Sequence, residues 1–207
     1  MRVFVTVGNS LKRFDRLLQA VERTLEAVPA PRTGSCQHGP SEIRPPALRP
    51  VAFLGRDEFE HELRSADIVI THGGVGTLAT AVRAGHRPIV MARLSRHDEI
   101  VNDHQLEIIR ELSRRGLVRP VSSESELRDV LVSLGPSGTR GLPEGRETGD
   151  RLRPIREDLR TAVGLGRPRP WAAPILRLLA AGAPAVMPVE RPRERDGTSR
   201  PEPGDRS

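Results

Sequence analysis

Residues 70–90 read ITHGGVGTLATAVRAGHRPIV. A short apolar run ends at His72, and Gly73, Gly74 and Gly76 follow almost at once. Leu78 to Ala84 then reads as a helix with Gly85 at its C-terminal cap, and Pro88 to Met91 as a further strand. A strand, a glycine turn, a helix and a second strand packed so tightly leave few topologies open. The same alternation runs along most of the chain. Val3 to Val7 is a β-branched run of the kind that buried parallel strands show. Phe14, Leu17, Leu18, Val21, Leu25 and Val28 recur at helical spacing until Pro29 and Pro31 stop them. Val51 to Leu54 reads as a strand, Asp57 as the cap of a short helix carrying Phe59 and Leu63, and Asp67 to Ile70 as a strand. Leu106, Ile109 and Leu112 mark a helix closed by Gly116. Leu117 to Val121 is a strand, and Ser123 with Glu126 forms a capping box for a last helix over Leu127 to Leu134. Strands alternating with helices predict an α/β fold: a Rossmann-like, mostly parallel open sheet. The weak place is PAPRTGSCQHGPSEIRPPALRP, where a second strand belongs beside the first. Either a short strand survives around Cys36 and Gln37, or the sheet is perturbed there.

Beyond Leu134 the character changes. Proline, glycine, arginine and acidic residues dominate, so residues 1–134 are expected to form the domain and residues 135–207 a largely disordered tail. Ile175 to Leu179 has the pattern for one or two amphipathic turns. The net charge of +6 rests almost wholly on arginine, since Lys12 is the only lysine, and most of the excess lies in the tail. With aromatic residues at 2%, stacking partners for bases are nearly lacking, which argues against a nucleic-acid partner. Cys36 is the only cysteine, so no intrachain disulfide or Cys-based zinc site can form, and a cytoplasmic, reducing compartment is expected. The first residues do not suit a signal peptide. WAAPILRLLAAGAPAVM is too short for a membrane span and carries Arg177, Pro174 and Pro184.

Open parallel sheets bind ligands at the carboxyl ends of their strands. Two loops qualify: Gly8, Asn9 and Ser10 after the first strand, and His72 to Thr77 ahead of a helix. Glycines allow close backbone approach, and a helix N-terminus offers free N–H groups and partial positive charge, which together suit an anion such as a diphosphate. Glycines serving packing alone, and a structural His72, would explain the same pattern. A second polar cluster, Asp103, His104 and Gln105, opens the helix that follows the strand PIVMA. It reads as a helix cap, as a carboxylate–amide grip on sugar hydroxyls, or as a zinc site completed by His97.

Four stretches carry a resemblance: FVTVGNS with FDRLLQAV, QHG at Gln37 to Gly39, ADIVITHGGVGTLATAVRAGHRPIV, and VNDHQLEIIRELSRRGLV. In this order they resemble the C-terminal domain of family 28 glycosyltransferases, over about residues 2 to 134. The form that the chain is most similar to is the stand-alone subunit of heteromeric enzymes that extend lipid-linked sugars or bacterial exopolysaccharides. The resemblance implies half of a GT-B enzyme that binds a UDP-sugar. Gly8, Asn9, Ser10, His72, Gly73, Gly74, Gly76 and Thr77 would lie along the nucleotide diphosphate, with Thr80 where the family often has a ribose-binding glutamate. Asp103 and Gln105 would face the donor sugar. No metal or other cofactor is implied. A membrane-anchored partner would supply the lipid-linked acceptor and the general base, and would recruit this chain to the inner face of the membrane. Three departures stand out: Thr80 in place of a carboxylate, GNS in the first loop, and the poorly marked second strand. They support a second reading, a non-catalytic nucleotide-binding or regulatory relic of the fold. A third assigns a nucleic-acid or membrane-surface role to the arginine-rich tail.

Overall fold

The computed structural model describes residues 1–27, 33–101 and 103–142. Six strands form one sheet: β1 (Arg2–Thr6), β2 (Thr33–Gln37), β3 (Arg49–Val51), β4 (Ile68–His72), β5 (Ile89–Met91) and β6 (Arg119–Val121). Every pairing is parallel and the order is β3-β2-β1-β4-β5-β6. This is the doubly wound Rossmann-like arrangement, with its reversal between β1 and β4. The helices are α1 (Asp15–Ala27), α2 (Arg56–Ser65), α3 (Val75–Arg83), α4 (His104–Arg114) and α5 (Glu124–Ser133), and a short 3₁₀ turn spans Ser95–His97.

Strand alternation sends side chains to two layers. Val3, Val5, Ile68, Ile70, Ile89 and Met91 pack with Leu17, Leu18 and Val21 of α1 and with Leu127 and Leu131 of α5. On the opposite face Phe4 and Val69 meet Leu63 of α2 and Ala81 of α3, and Val90 meets Leu78, Val82, Ile109 and Leu112 of α3 and α4. Phe4 and Phe59 meet edge to face with centroids 5.4 Å apart. Central strands buried on both faces explain why β1, β4 and β5 read as continuous apolar runs.

The second strand exists, and its polarity explains its faint signal. Ser35 and Gln37 are buried but partnered: Ser35 Oγ donates to Glu62 Oε2 at 2.7 Å, and Gln37 bonds Thr6 and Asn9. Glu62 also takes bonds from Arg2 and Arg49 at 2.7 and 2.6 Å. Burial alone would raise its pKa, but these bonds outweigh it and hold the carboxyl below its usual range. Gly34 has φ +143°, and a Cβ there would lie 1.9 Å from the Val3 carbonyl oxygen, so only glycine lets β2 pass this close to β1.

Several sequence-based bounds need correction. The strand expected at Val51 to Leu54 is β3, Arg49–Val51, an edge strand that pairs only as far as the Gln37 register. The cap of α2 is Gly55, whose N–H donates to Glu58 Oε2 at 3.0 Å, and Asp57 lies inside the first turn. β4 runs on to His72. At α5, Ser123 Oγ accepts from Glu126 N–H as expected, but the Glu126 carboxylate turns to Ser122 instead of closing the box. Gly85 and Gly116 follow their helices at φ +82° and +70°, as left-handed caps require.

The chain does not leave the domain at Leu134. Thr139 N–H donates to Asp67 O at 2.8 Å, Thr139 Oγ1 accepts Val69 N–H at 3.0 Å, and Gly141 and Leu142 donate to Gly85 O. Residues through Leu142 thus seal the amino ends of β4 and β5, the end of the sheet away from the glycine loops. The rest of the expected tail, with Ile175 to Leu179, lies outside the described residues.

Candidate functional site

β1 and β4 are neighbours in register, Thr6 opposite Thr71, and both glycine loops leave their carboxyl ends at the sheet's reversal. Such a reversal opens a crevice between diverging loops. In the first loop Gly8 turns the chain at φ +75°. Its N–H donates to Thr6 Oγ1 at 3.0 Å, and the Thr6 hydroxyl donates to Gln37 Oε1 at 2.8 Å. Gln37 Nε2 donates in turn to Asn9 Oδ1 at 2.8 Å. Ser10 Oγ accepts Lys12 N–H at 3.1 Å, so Ser10 also shapes its own turn.

The two loops meet on His72. A Cβ on Gly8 would lie 2.4 Å from its Cε1, and one on Gly74 would lie 2.2 Å from its Nε2. The imidazole therefore occupies a slot that two glycines leave open. Thr71 Oγ1 lies 3.3 Å from its Nδ1. Burial, reinforced by the Arg93 charge, pushes the His72 pKa down to about 3 against a bond to the Thr6 backbone. The ring is neutral at ordinary pH and serves as a hydrogen-bonding wall between the loops.

Gly74 is the N-cap of α3 and brings no capping side chain, and the first turn carries no acid. The first intrahelical bond runs from Leu78 N–H to Gly74 O, so the N–H groups of Val75, Gly76 and Thr77 have no helical partner. An uncapped N-terminus without carboxylates, opening on the crevice, has the electrostatics of an anion site. One turn on, the Thr80 hydroxyl donates to Gly76 O at 2.9 Å and is approached by Arg83 Nη2 at 3.4 Å. It is turned back onto its helix as a hydrogen-bond donor.

α4 contributes Gln105. A Cβ on Gly73 would strike Ile109 Cδ1 at 2.7 Å and Gln105 Oε1 at 2.9 Å, so α4 lies directly on the glycine turn. Gln105 Oε1 is buried there without a hydrogen-bond partner. Asp103 goes elsewhere. It stands at the N-cap position of α4 but makes no cap bond: its carboxylate accepts from Ser95 N–H at 2.8 Å and from Ser95 Oγ at 2.9 Å. Of the two residues expected at a sugar, Gln105 is brought to the loops and Asp103 secures the 3₁₀ turn. Among the described residues no group of three His, Cys, Asp or Glu side chains is placed to hold a metal ion.

Sequence reasoning missed Arg93. It is 2% exposed and joins three segments: Nη1 donates to the carbonyls of Lys12, Arg13 and Glu99, and Nη2 to Val7 O at 2.8 Å. Its guanidinium stacks 4.7 Å over the Phe14 ring. Burial lowers its pKa to about 10, which leaves it charged. Glu99, also buried, accepts from Arg16 and from Leu94 N–H at 2.9 Å. This frame ties the loop after β5 to the loop after β1. The sequence signal was an arginine directly after an apolar strand, with an acid six residues on.

A wholly parallel sheet whose reversal carries two glycine loops and an uncapped helix defines a doubly wound, Rossmann-like α/β domain. The chain belongs to the glycosyltransferase family 28 C-terminal domain family, whose model matches residues 2–148. It is 30% identical over 100 residues to the UDP-N-acetylglucosamine transferase subunit ALG13 of Debaryomyces hansenii, covering 45% of each chain. Against the subunit of the same name from Mus musculus it is 27% identical over 149 residues, covering 65% of this chain and 12% of that protein. The chain thus spans less than half the length of these relatives. A crystal structure of a kitacinnamycin glycosyltransferase matches 86% of the chain, and 43% of its own, at 18% identity and a TM-score of 0.49. No helix among the described residues is long and apolar enough to cross a membrane.

Proposed function

We propose that this chain is the donor-binding subunit of a glycosyltransferase that moves a hexose or N-acetylhexosamine from a UDP-sugar to a lipid-linked acceptor. The observation that carries this reading is the meeting of the two glycine loops on His72 beside the uncapped start of α3. The relatives' designation as UDP-N-acetylglucosamine transferase subunits supports the nucleotide and the need for a partner. As the sugar leaves, negative charge grows on the UDP oxygens. Backbone N–H groups fixed in advance oppose that charge best at the transition state, without a metal. Gln105 Oε1 is offered to a sugar hydroxyl, while Asp103 supports the neighbouring 3₁₀ turn through Ser95. The general base and the acceptor belong to a membrane-anchored partner, and the product feeds polysaccharide or glycolipid synthesis.

The turned-in Thr80 hydroxyl favours a second reading, a nucleotide-binding relic without turnover. A thermal-shift titration of the chain with UDP, GDP, ADP and dTDP tests the shared premise. A ligand at a hundred times its dissociation constant stabilises by about 2.7 kcal/mol. A UDP-selective shift is expected, and equal or no shifts would sink the UDP-sugar reading. Transfer upon addition of a membrane-anchored partner separates transferase from relic.

A further inference from the structure

We infer that Gln37 is a positioning residue for the sugar-donor site, locking the Asn9 side-chain amide so that its NH2 group, and not its carbonyl, is presented to the bound diphosphate. This rests on the reading of the crevice as a UDP site. The argument is one of hydrogen-bond polarity. Gly8 N–H can only donate, and it donates to Thr6 Oγ1. The Thr6 hydroxyl is fully buried, and its own proton needs an acceptor; among the described residues that acceptor is Gln37 Oε1 at 2.8 Å. This fixes the Gln37 amide, which is 1% exposed, with Nε2 facing Asn9. Nε2 can only donate, so Asn9 must turn Oδ1 towards it. Reversing this relay would leave the Thr6 proton buried without an acceptor.

The consequence lies at the end of the relay. Gln37 sits on β2, on the side of β1 away from β4. With Oδ1 held towards β2, Asn9 Nδ2 projects away from it and has no protein partner among the described residues. Asn9 directly follows Gly8, whose backbone packs on His72. A free amide proton pair is thereby kept beside the loop, where an anion needs donors and a carbonyl would repel it. Gln37 acts from β2 through another residue, and only its donor–acceptor polarity matters.

Gln37→Glu reverses that polarity and also adds a negative charge, and the Asn9→Ala background separates the two effects. The new carboxylate still accepts from Thr6 but cannot donate, so Asn9 reverses and points its carbonyl at the anion. Binding of UDP and of uridine by the full chain is measured by calorimetry for wild type, Gln37→Glu, Asn9→Ala and the double variant. The expected result is a loss of UDP affinity of about tenfold to a hundredfold in Gln37→Glu, the worth of a hydrogen bond to a charged group. Uridine binding should stay unchanged. In the Asn9→Ala background the same substitution should cost less than about twofold, because its effect passes through Asn9. Equal losses in both backgrounds, or equal losses for UDP and uridine, would make Gln37 a merely structural residue and overturn the inference. If Gln37→Glu does not fold, Asn9→Asp decides: Gln37 still holds one oxygen and the other faces the anion, so UDP binding should fall while uridine binding holds. Wild-type affinity for UDP in Asn9→Asp would overturn the inference alone, whereas a wild-type chain that binds neither ligand would overturn the UDP-site reading beneath it.

Discussion

Gly74→Ala puts the meeting of the two loops to a quantitative test. Gly74 has φ −70° and ψ 123°, values any residue adopts, so alanine brings no backbone strain there. Its cost is collision alone. The new Cβ would lie 2.2 Å from His72 Nε2 and 3.0 Å from both Cδ2 and Cε1. Carbon contacts settle near 3.5 Å, so the ring must retreat by roughly 1.3 Å. It cannot retreat towards the first loop, because the Gly8 backbone already stands so close that a Cβ there would be 2.4 Å from Cε1. Overpacking of this kind costs about 1–3 kcal/mol. Stiffening the unfolded chain returns about 0.4–1 kcal/mol, so the net loss should be about 1–2 kcal/mol. In a His72→Ala background the collision is gone, and the same substitution should be neutral or stabilise by that smaller amount. Urea unfolding of the four proteins of this cycle gives the coupling directly, expected at about 1–3 kcal/mol. An equal effect of Gly74→Ala in both backgrounds would show that the imidazole does not sit between the glycines.

Three further outcomes follow from the buried polar groups and the tight strand contact. His72 keeps a pKa near 3 in the fold against 6.5 when free, so the unfolded chain takes a proton that the native ring refuses. The stability this contributes is complete above about pH 6.5 and should fall by roughly 1.4 kcal/mol per unit on acidification towards pH 3; His72→Gln should flatten the profile, and parallel curves would refute it. Gly34→Ala should cost more than about 3 kcal/mol, since a Cβ 1.9 Å from Val3 O must push β1 and β2 apart; a cooperative melt at the wild-type temperature would contradict this. Arg93→Met should cost about 3–5 kcal/mol and loosen both loops. Because Lys12 is the only lysine, a lysine-specific protease reads the first loop alone, and cleavage there should accelerate in the variant.

How far the sequence discloses this molecule depends on where each strand finds its partners. β1, β4 and β5 bury apolar side chains on both faces, so their runs stand out. β2 is paired on both sides as β1 is, yet it reads TGSCQ, because Glu62 and Thr6 satisfy the polar groups of Ser35 and Gln37. Periodicity cannot register a polar residue whose partner lies 27 or 31 positions away. The same reason hid the bounds of β3, where Arg49 gains its place from Glu62 and not from apolar contact. The glycine loops were legible as types, since strand, glycine and helix follow in order. That both loops close on one imidazole was not, because Gly8 and Gly74 meet only once β1 and β4 pair.

The bonds made at this end of the sheet also say what a ligand must supply. Thr6 and Gln37 bond each other, Arg93 gives its Nη1 and Nη2 groups to loop carbonyls, and Glu99 accepts from Arg16 and Leu94 N–H, so both loops are held before anything binds. Preorganised groups cost no rearrangement when charge develops, which is where electrostatic catalysis gains most. Around the glycine turn that opens α3, three kinds of group are left to a ligand. The N–H groups opening α3 and the Asn9 NH2 are donors, and Gln105 Oε1 is one buried acceptor. The donors at the start of α3 and on Asn9 call for an anion, and the unpartnered Gln105 Oε1 beside the glycine turn calls for a hydroxyl. A nucleoside diphosphate alone would satisfy the first and leave Gln105 Oε1 unpaired, whereas the same diphosphate carrying a sugar satisfies both. A UDP-sugar should therefore bind more tightly than UDP, and Gln105→Leu should remove that difference while leaving UDP affinity in place. Equal affinities for UDP and every UDP-sugar in the wild type would assign the amide to packing against Gly73 instead.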